Sequence, residues 1–272
     1  MRKWVLIFSV LIPVVFYSSK KAVECEVNNT MFVSGEEIKY KALYNWGFIW
    51  LEAGEVTFNI QLEDYKGAPS YHISGIGGSY PSYDWIYKVR DRFESWVDTA
   101  TLKPFRYIRD VKEGGRNFYN ECFFSQSKGK AYCVTREQKK LPRLDTVPMH
   151  PCAFDPMTMI YYARTIDYSS YKVNDTIPII LFLDSKLYTL YIRYLGKEVL
   201  KLGEKTSYRC IKFSPKLVEG TIFKGGEGMT VWATDDKNRI PLYVEAPILV
   251  GTVKARIMSW KGLKNKFEAK VE

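Results

Sequence analysis

YNWGFIWLEAGEV, Tyr44–Val56, decides how this chain is read, because its large aromatics fall on alternate positions. Upstream the same alternation holds: Ile38, Tyr40, Ala42, Tyr44, Trp46, Phe48 and Trp50 are set against Glu37, Lys39, Lys41 and Asn45. A period of two with one apolar side is the pattern of a strand with one buried face. Gly54 interrupts it, and Val56, Phe58, Ile60 and Leu62 resume it against Thr57, Asn59 and Gln61. Asn45, Gly47 and Gly54 are natural places for a turn or bulge. The stretch therefore reads as two strands meeting at an aromatic corner. The charges of Glu37, Lys39, Lys41 and Glu52 close around it argue against a membrane span.

Outward from this corner, more strands follow at Tyr71–Ile76, Val89–Val97 and Pro104–Arg109. Asn117–Phe124 and Lys130–Arg136 flank SQSKG as a hairpin. GIGGS and the aromatic YPSYDW after it read as a strand-to-strand loop, and Lys139–Pro151 as another loop. One helix breaks the series: Asp155-Pro156 supplies an N-cap and a first-turn proline, and Met159, Ile160, Ala163 and Ile166 recur at helical spacing. Strands resume at Thr176–Leu183, Lys186–Leu195, Lys205–Phe213, Gly228–Thr234, Ile240–Ala246 and Gly251–Trp260, with turns at Leu195-Gly196-Lys197 and Asp235–Asn238. The fold class is mostly β: an antiparallel sheet curled into a barrel or half-barrel, with one helix near residues 155–166 packed on it or plugging it.

Residues 1–22 have the layout of a secretory signal, with Arg2 and Lys3 before the apolar run Trp4–Phe16. Pro13 and the run's shortness make it a poor spanning helix. Glu24 before Cys25 spoils a lipid-attachment site. The expectation is a soluble, exported protein, periplasmic or associated with the outer envelope, with residues 23–272 as a single β-rich domain. Removing residues 1–22 takes away Arg2, Lys3, Lys20 and Lys21 and no acid, so the net charge falls from +10 to +6. That surplus is spread along the chain and points away from nucleic acid, toward a weak attraction to anionic surfaces. The basic tail KGLKNKFEAK, Lys261–Lys270, reads as a solvated end.

Five cysteines, Cys25, Cys122, Cys133, Cys152 and Cys210, include no Cys-x-x-Cys pair, and export permits disulfides. A turn centred on Ser127-Lys128 sets Cys122 opposite Cys133. A turn centred on Lys128-Gly129 slips the pairing and favours Cys133 with Cys152.

Several ordered blocks resemble an uncharacterised exported family, domain of unknown function 3108. They are Phe32-x-x-Gly35-Glu36 with Tyr40, Tyr44–Trp50 with Ala53-Gly54, Val89–Phe93, Leu102-x-Pro104, Lys112-Glu113-Gly114 and Asp155-x-Met157. The last are Val231-Trp232-x-Thr234-Asp235-Asp236, Arg239-Ile240-Pro241 and Gly251-x-Val253. The resemblance implies an exported, β-rich domain with a curled sheet. It supplies no activity.

Catalytic patterns are not found. His72 lies in a strand without a nucleophile motif. His150, near Met149 and Cys152, offers soft ligands, but too few for a metal site. Gly-x-Ser-x-Gly does not occur, and Gly75–Ser79 lacks the lysine and helix of a phosphate cradle. Asp91 with Glu94, and Asp235-Asp236, are paired acids of the kind a hydrolase uses, but the first straddles two strand faces and the second reads as a turn. No cofactor or metal is expected, and the chain reads as a non-enzyme. What remains is aromatic: Trp46, Phe48 and Trp50, with Tyr83 and Trp85 opposite, are the candidate lining of a concave site for an apolar small molecule or lipid. The leading expectation is a non-catalytic envelope protein that binds or carries an apolar or amphipathic molecule. The alternative is a structural or interaction protein that holds an envelope protein or glycan through an aromatic rim. A carboxylate-dependent hydrolase is the third reading.

Overall fold

The computed structural model describes residue 27 and residues 29–46, 49–218, 225–248 and 251–271. The leader, Cys25, Gly47 and Phe48 lie outside these residues. The strands are, in chain order, β1 (Glu37–Trp46), β2 (Ile49–Tyr65), β3 (Ala68–Ser79), β4 (Val89–Asp98), β5 (Pro104–Glu113), β6 (Arg116–Ser125), β7 (Lys130–Glu137) and β8 (Arg143–Pro148). They continue with β9 (Ala153–Phe154), β10 (Thr176–Leu183), β11 (Lys186–Gly203), β12 (Thr206–Pro215), β13 (Thr230–Thr234), β14 (Pro241–Pro247), β15 (Thr252–Lys261) and β16 (Lys270–Val271). The helical elements among the described residues are a single turn, α1 (Asp84–Tyr87), a ten-residue helix, α2 (Pro156–Thr165), and 3-10 turns at Pro81–Tyr83 and Tyr168–Ser170. The protein is mostly β, as its alternating sequence requires.

All strands belong to one sheet, in the order β8-β7-β6-β5-β4-β3-β2-β1-β15-β14-β13-β12-β11-β10-β9, with β16 added to β12. Laid flat, the path from β8 to β9 would span about 67 Å at a strand spacing of about 4.8 Å. Yet Pro148 at the end of β8 and Ala153 at the start of β9 are joined by residues 149–152, which reach about 18 Å at most. The sheet must therefore curl until its two ends approach. Contacts across the curl agree: the Phe124 and Phe182 rings, from β6 and β10, are 5.1 Å apart edge to face. Arg109 of β5 binds Asp184, beyond β10, at 2.7 Å. β8 and β9 do not pair, so the barrel-like curl is not closed.

Helix α2 lies inside the curl. Asp155 caps it, accepting hydrogen bonds from the backbone N–H of Met157 and Thr158 at 2.9 and 3.0 Å. The Thr158 and Ser95 hydroxyls donate to its other oxygen at 2.6 and 2.7 Å, which ties the cap to β4. Met157 and Tyr161 pack with Phe32, Ile60, Ile73 and Phe182. A Cβ at Gly75 would stand 3.0 Å from the Met157 methyl, so the bare glycine lets the helix approach β3. Farther along, Arg164 is buried and makes a two-pronged ion pair with Glu36, at 2.6 and 2.9 Å. The rings of Phe32 and Tyr161 flank its guanidinium.

Five expectations are corrected. Gly75–Ser79 is not loop, because β3 runs through Ser79 paired with β2. Of the places Asn45, Gly47 and Gly54 open to a turn or bulge, Gly54 does not interrupt the strand: β1 ends at Trp46, β2 begins at Ile49, and at Gly54 β2 runs on through a bulge, where the register with β1 shifts between Ala42 and Leu43. A Cβ on Gly54 would be 2.1 Å from the Gly78 carbonyl oxygen, so only glycine fits between β1 and β3 there. Lys139–Pro151 is not all loop, because Arg143–Pro148 pairs with β7 as β8. Leu195-Gly196-Lys197 is a bulge inside the long β11 rather than a turn. The tail Lys261–Lys270 is docked rather than solvated: Phe267 stacks on Trp260 at 4.5 Å, Ala269 is fully buried, and its carbonyl accepts from Arg209 N–H at 2.7 Å.

Candidate functional site

Antiparallel alternation sends the connections β1–β2, β3–β4, β5–β6, β7–β8, β10–β11 and β14–β15 to one end of the sheet, here called the upper rim. Residues 80–88 form its most built part. Tyr80 N–H donates to the Ala53 carbonyl at 2.9 Å, and its hydroxyl donates to Glu55 at 2.6 Å. Asp84 accepts from the Ser79 hydroxyl at 2.6 Å and from both terminal nitrogens of Arg90, at 3.1 and 2.6 Å. The Ser79 hydroxyl, then Arg90, hold the Asp84 carboxyl below its usual range. On the far side, Gly114 N–H donates to the Lys88 carbonyl at 3.0 Å, and a Cβ at Gly114 would be 2.3 Å from the Tyr87 ring.

This bracing presents side chains rather than burying them. None of the residues Asp84–Tyr87 is buried, and Trp85 is 82% exposed. Ile49, at 65%, and Leu141, at 91%, extend the apolar display to the neighbouring connections. Exposed Lys88, Lys112, Arg116, Lys139 and Lys140 stand among them. Three acids of this end are ion-paired, Glu52 with Lys41 at 2.7 Å, Asp84 with Arg90, and Glu137 with Lys140 at 2.7 Å, while Glu55 accepts from the Tyr80 hydroxyl and Glu113 lies beside Asp91.

The five candidate aromatics do not gather on one concave wall. Register sets Asn45 opposite Trp50 and Trp46 opposite Ile49. Directly paired residues share a face, so positions 46 and 50 fall on opposite faces of the hairpin. Position 46 is in phase with the buried Ile38 and Tyr40. Trp50 lies on the outer face, 39% exposed, with the Lys254 ammonium 4.0 Å from its ring centre. Because β1 ends at Trp46 and pairs back with β2 from Ile49, the phase that a continuous strand would keep is reversed. Tyr83 is half-buried and precedes α1, and Trp85 points into solvent on the rim.

Cys122 and Cys133 are paired residues of the β6–β7 hairpin, bridged by a disulfide with Cα atoms 4.1 Å apart. Ser125 pairs with Lys130, so the turn is centred on Ser127-Lys128. Cys152 is disulfide-bonded as well, and its backbone N–H donates to His150 Nδ1 at 3.1 Å, so these two do not offer a thiolate–imidazole pair. Cys210 is a buried free thiol, pushed up to about 12 by burial.

Asp91 and Glu94 point to opposite faces of β4. Glu94 joins His72 on the outer face: His72 Nδ1 is 2.9 Å from Glu63, its Nε2 is 3.2 Å from Glu94 without hydrogen-bond alignment, and its ring stacks on Trp96 at 4.2 Å. Asp91 faces inward near Glu113, and burial first, then that neighbour's charge, pushes its carboxyl up to about 7. A carboxyl of this kind can exchange a proton at neutral pH. The recess nearest in sequence, about 390 Å³, is lined by residues 114–117 and 137–139 and not by this pair. Asp236 knots a turn, accepting from the Thr234 hydroxyl and from the backbone of Asn238 and Glu268. The described residues contain no cluster of three or more metal-ligating side chains. They contain no helix long and apolar enough to cross a membrane.

Sequence reading missed the outer-face row in which His72, Trp96, Arg106, Phe123 and Tyr132 are successive cross-strand partners. Arg106 sits over the Trp96 and Phe123 rings at 4.7 and 5.5 Å and binds Glu121. Only strand register could have aligned it.

The family profile described as "Protein of unknown function (DUF3108)" matches residues 39–258. This chain belongs to the DUF3108 family. Among solved structures, this DUF3108 protein is similar to a beta-barrel-like protein of domain of unknown function DUF1849 from Brucella abortus. The TM-score is 0.56 and the identity 10%, over 85% of this chain and 98% of that one. At that identity the likeness concerns the fold alone. No curated protein matches the DUF3108 chain. Neither the family nor the structural neighbour indicates a catalytic class.

Proposed function

We propose that this protein is a non-catalytic interaction protein of the cell envelope that engages its partner through the upper rim. The observation that carries this reading is Trp85, 82% exposed on a segment braced by Asp84–Arg90, Ser79 and Gly114. A tryptophan left out of the core on a braced segment is suited to recognition, because the backbone part of the ordering cost is met before binding. The carrier reading has less support. It needs space inside the curl, where α2 and the side chains around Met157 and Tyr161 are packed. Export through the leader read at residues 1–22 is part of the proposal.

Photo-crosslinking in cells tests it. A benzophenone amino acid placed at position 85 is expected to give a discrete adduct in the envelope fraction. The same group at Leu62, exposed near the opposite end of β2, is expected to give none. Equal labelling from both positions, or none from 85, refutes the rim as the working surface. Recovery of the chain from the cytoplasm with Met1 intact refutes export.

A further inference from the structure

We infer that the partner of the upper rim is the surface of a lipid bilayer bearing anionic headgroups. The inference rests on the rim being the interaction surface and goes on to name what it meets. Its first support is the kind of side chain displayed. Trp85, Ile86 and Tyr87 project from one helical turn, Ile49 from the neighbouring connection and Leu141 from the β7–β8 connection. Trp and Tyr favour the headgroup level of a bilayer, where an apolar ring and a polar edge are both accommodated. Ile and Leu add apolar area that can be buried just below it.

The second support is spacing. From β2 to β7 the sheet crosses five strand intervals, about 24 Å along the arc. The apolar tips are thus separate projections and not one continuous patch. A rigid protein partner needs a continuous complementary surface, whereas a fluid interface receives separated tips independently.

The third support is charge. Lys88, Arg116 and Lys139 are exposed and have no ion pair within 4.0 Å among the described residues, while Glu52, Asp84 and Glu137 each have a cation at 2.7 Å or less. Glu55 and Glu113 also have no ion pair among the described residues, but Glu55 accepts from the Tyr80 hydroxyl and Glu113 lies inward beside Asp91, so the outward cations exceed the outward acids modestly between the apolar tips. That combination attracts an anionic surface and weakens with salt.

Residues 23–272 with disulfides intact would be sedimented with vesicles of phosphatidylcholine alone and of phosphatidylcholine mixed with phosphatidylglycerol. Binding to the mixed vesicles is expected at low salt, falling as salt rises, with little binding to the neutral ones. Trp85→Ser with Leu141→Ser, and separately Lys88→Glu with Lys139→Glu, should each weaken binding roughly tenfold. Leu62→Ser should leave it unchanged. These side chains are exposed, so the urea midpoints should match wild type and exclude misfolding. Quenching of tryptophan emission by brominated lipid should be lost largely with Trp85→Phe. No binding to anionic vesicles at low salt overturns the inference. So does binding that ignores both rim variants, which would report net charge only. A protein adduct at position 85 without vesicle binding removes the lipid but keeps the rim; neither adduct nor vesicle binding removes both.

Discussion

Asp91 and Glu113 show how one half-buried position couples to pH. Burial first, then the Glu113 charge, pushes the folded Asp91 carboxyl up to about 7 from an ordinary 3.8. Between those values the folded chain holds the extra proton. Stability from this group therefore rises as pH falls through 7 toward 3.8, and the cost of the ionised form is present above 7. Asp91→Asn is expected to unfold at higher urea than wild type at pH 8, with the gap narrowing at pH 6; a gap independent of pH would contradict this assignment. Cys210 makes a second test. Its thiol is fully buried and pushed up to about 12, so it should resist alkylation in the native protein and react once urea unfolds the chain. Rapid native labelling at Cys210 would mean that β12 opens far more readily than its packing suggests.

At the level of elements, α2 is held by its two ends. Asp155→Ala removes the cap and leaves the Ser95 and Thr158 hydroxyls without their acceptor; a loss of about 1–2 kcal/mol is expected. At the other end, Glu36→Ala strands the buried guanidinium of Arg164. Urea unfolding should show a loss of about 3–5 kcal/mol. The pair replacement Glu36→Leu with Arg164→Met should be milder than Glu36→Ala, because no charge is left buried alone; an equal or larger loss would show that the pair itself stabilises the fold. The helix was legible in Asp155-Pro156, but its buried side was not. Met159, Ile160, Ala163 and Ile166 make the visible apolar stripe, yet Ile160 is 39% exposed and the inward residues include Met157, Tyr161 and Arg164. An arginine reads as solvent-facing until its partner is known, and Glu36 lies 128 residues away. The β6–β7 hairpin is the opposite case: the turn's centre fixes the cysteine register, so peptide mapping without reductant should return a Cys122–Cys133 link.

On the scale of the whole molecule, the sheet is one open path with unequal ends. β8 pairs only with β7 and carries the exposed Leu144, while β3 is paired on both sides and covered by α2. Hydrogen exchange should therefore proceed first in β8 and last in β2–β4 and α2. Uniform protection across these strands would mean that the curl opens only as a unit.

The sequence by itself determined that the chain alternates into strands, that a capped helix interrupts them at Asp155, and that the order of its motifs is that of the DUF3108 family. These are local facts, set by periods of two and 3.6 residues and by capping and turn chemistry. Tertiary structure alone decided which aromatics share a face, because the pairing of Trp46 with Ile49 and of Asn45 with Trp50 puts positions 46 and 50 on opposite faces. It alone brought Arg164 to Glu36 and lined up His72, Trp96 and Arg106. It also decided that α2 packs inside the curl against β3, β4 and β10, the packing on which the proposal of a rim site in place of an interior one rests. Burial of an inner face depends on how far the sheet bends, and that bend is fixed by strand order and by the short link from β8 to β9, neither of which is written in any local pattern.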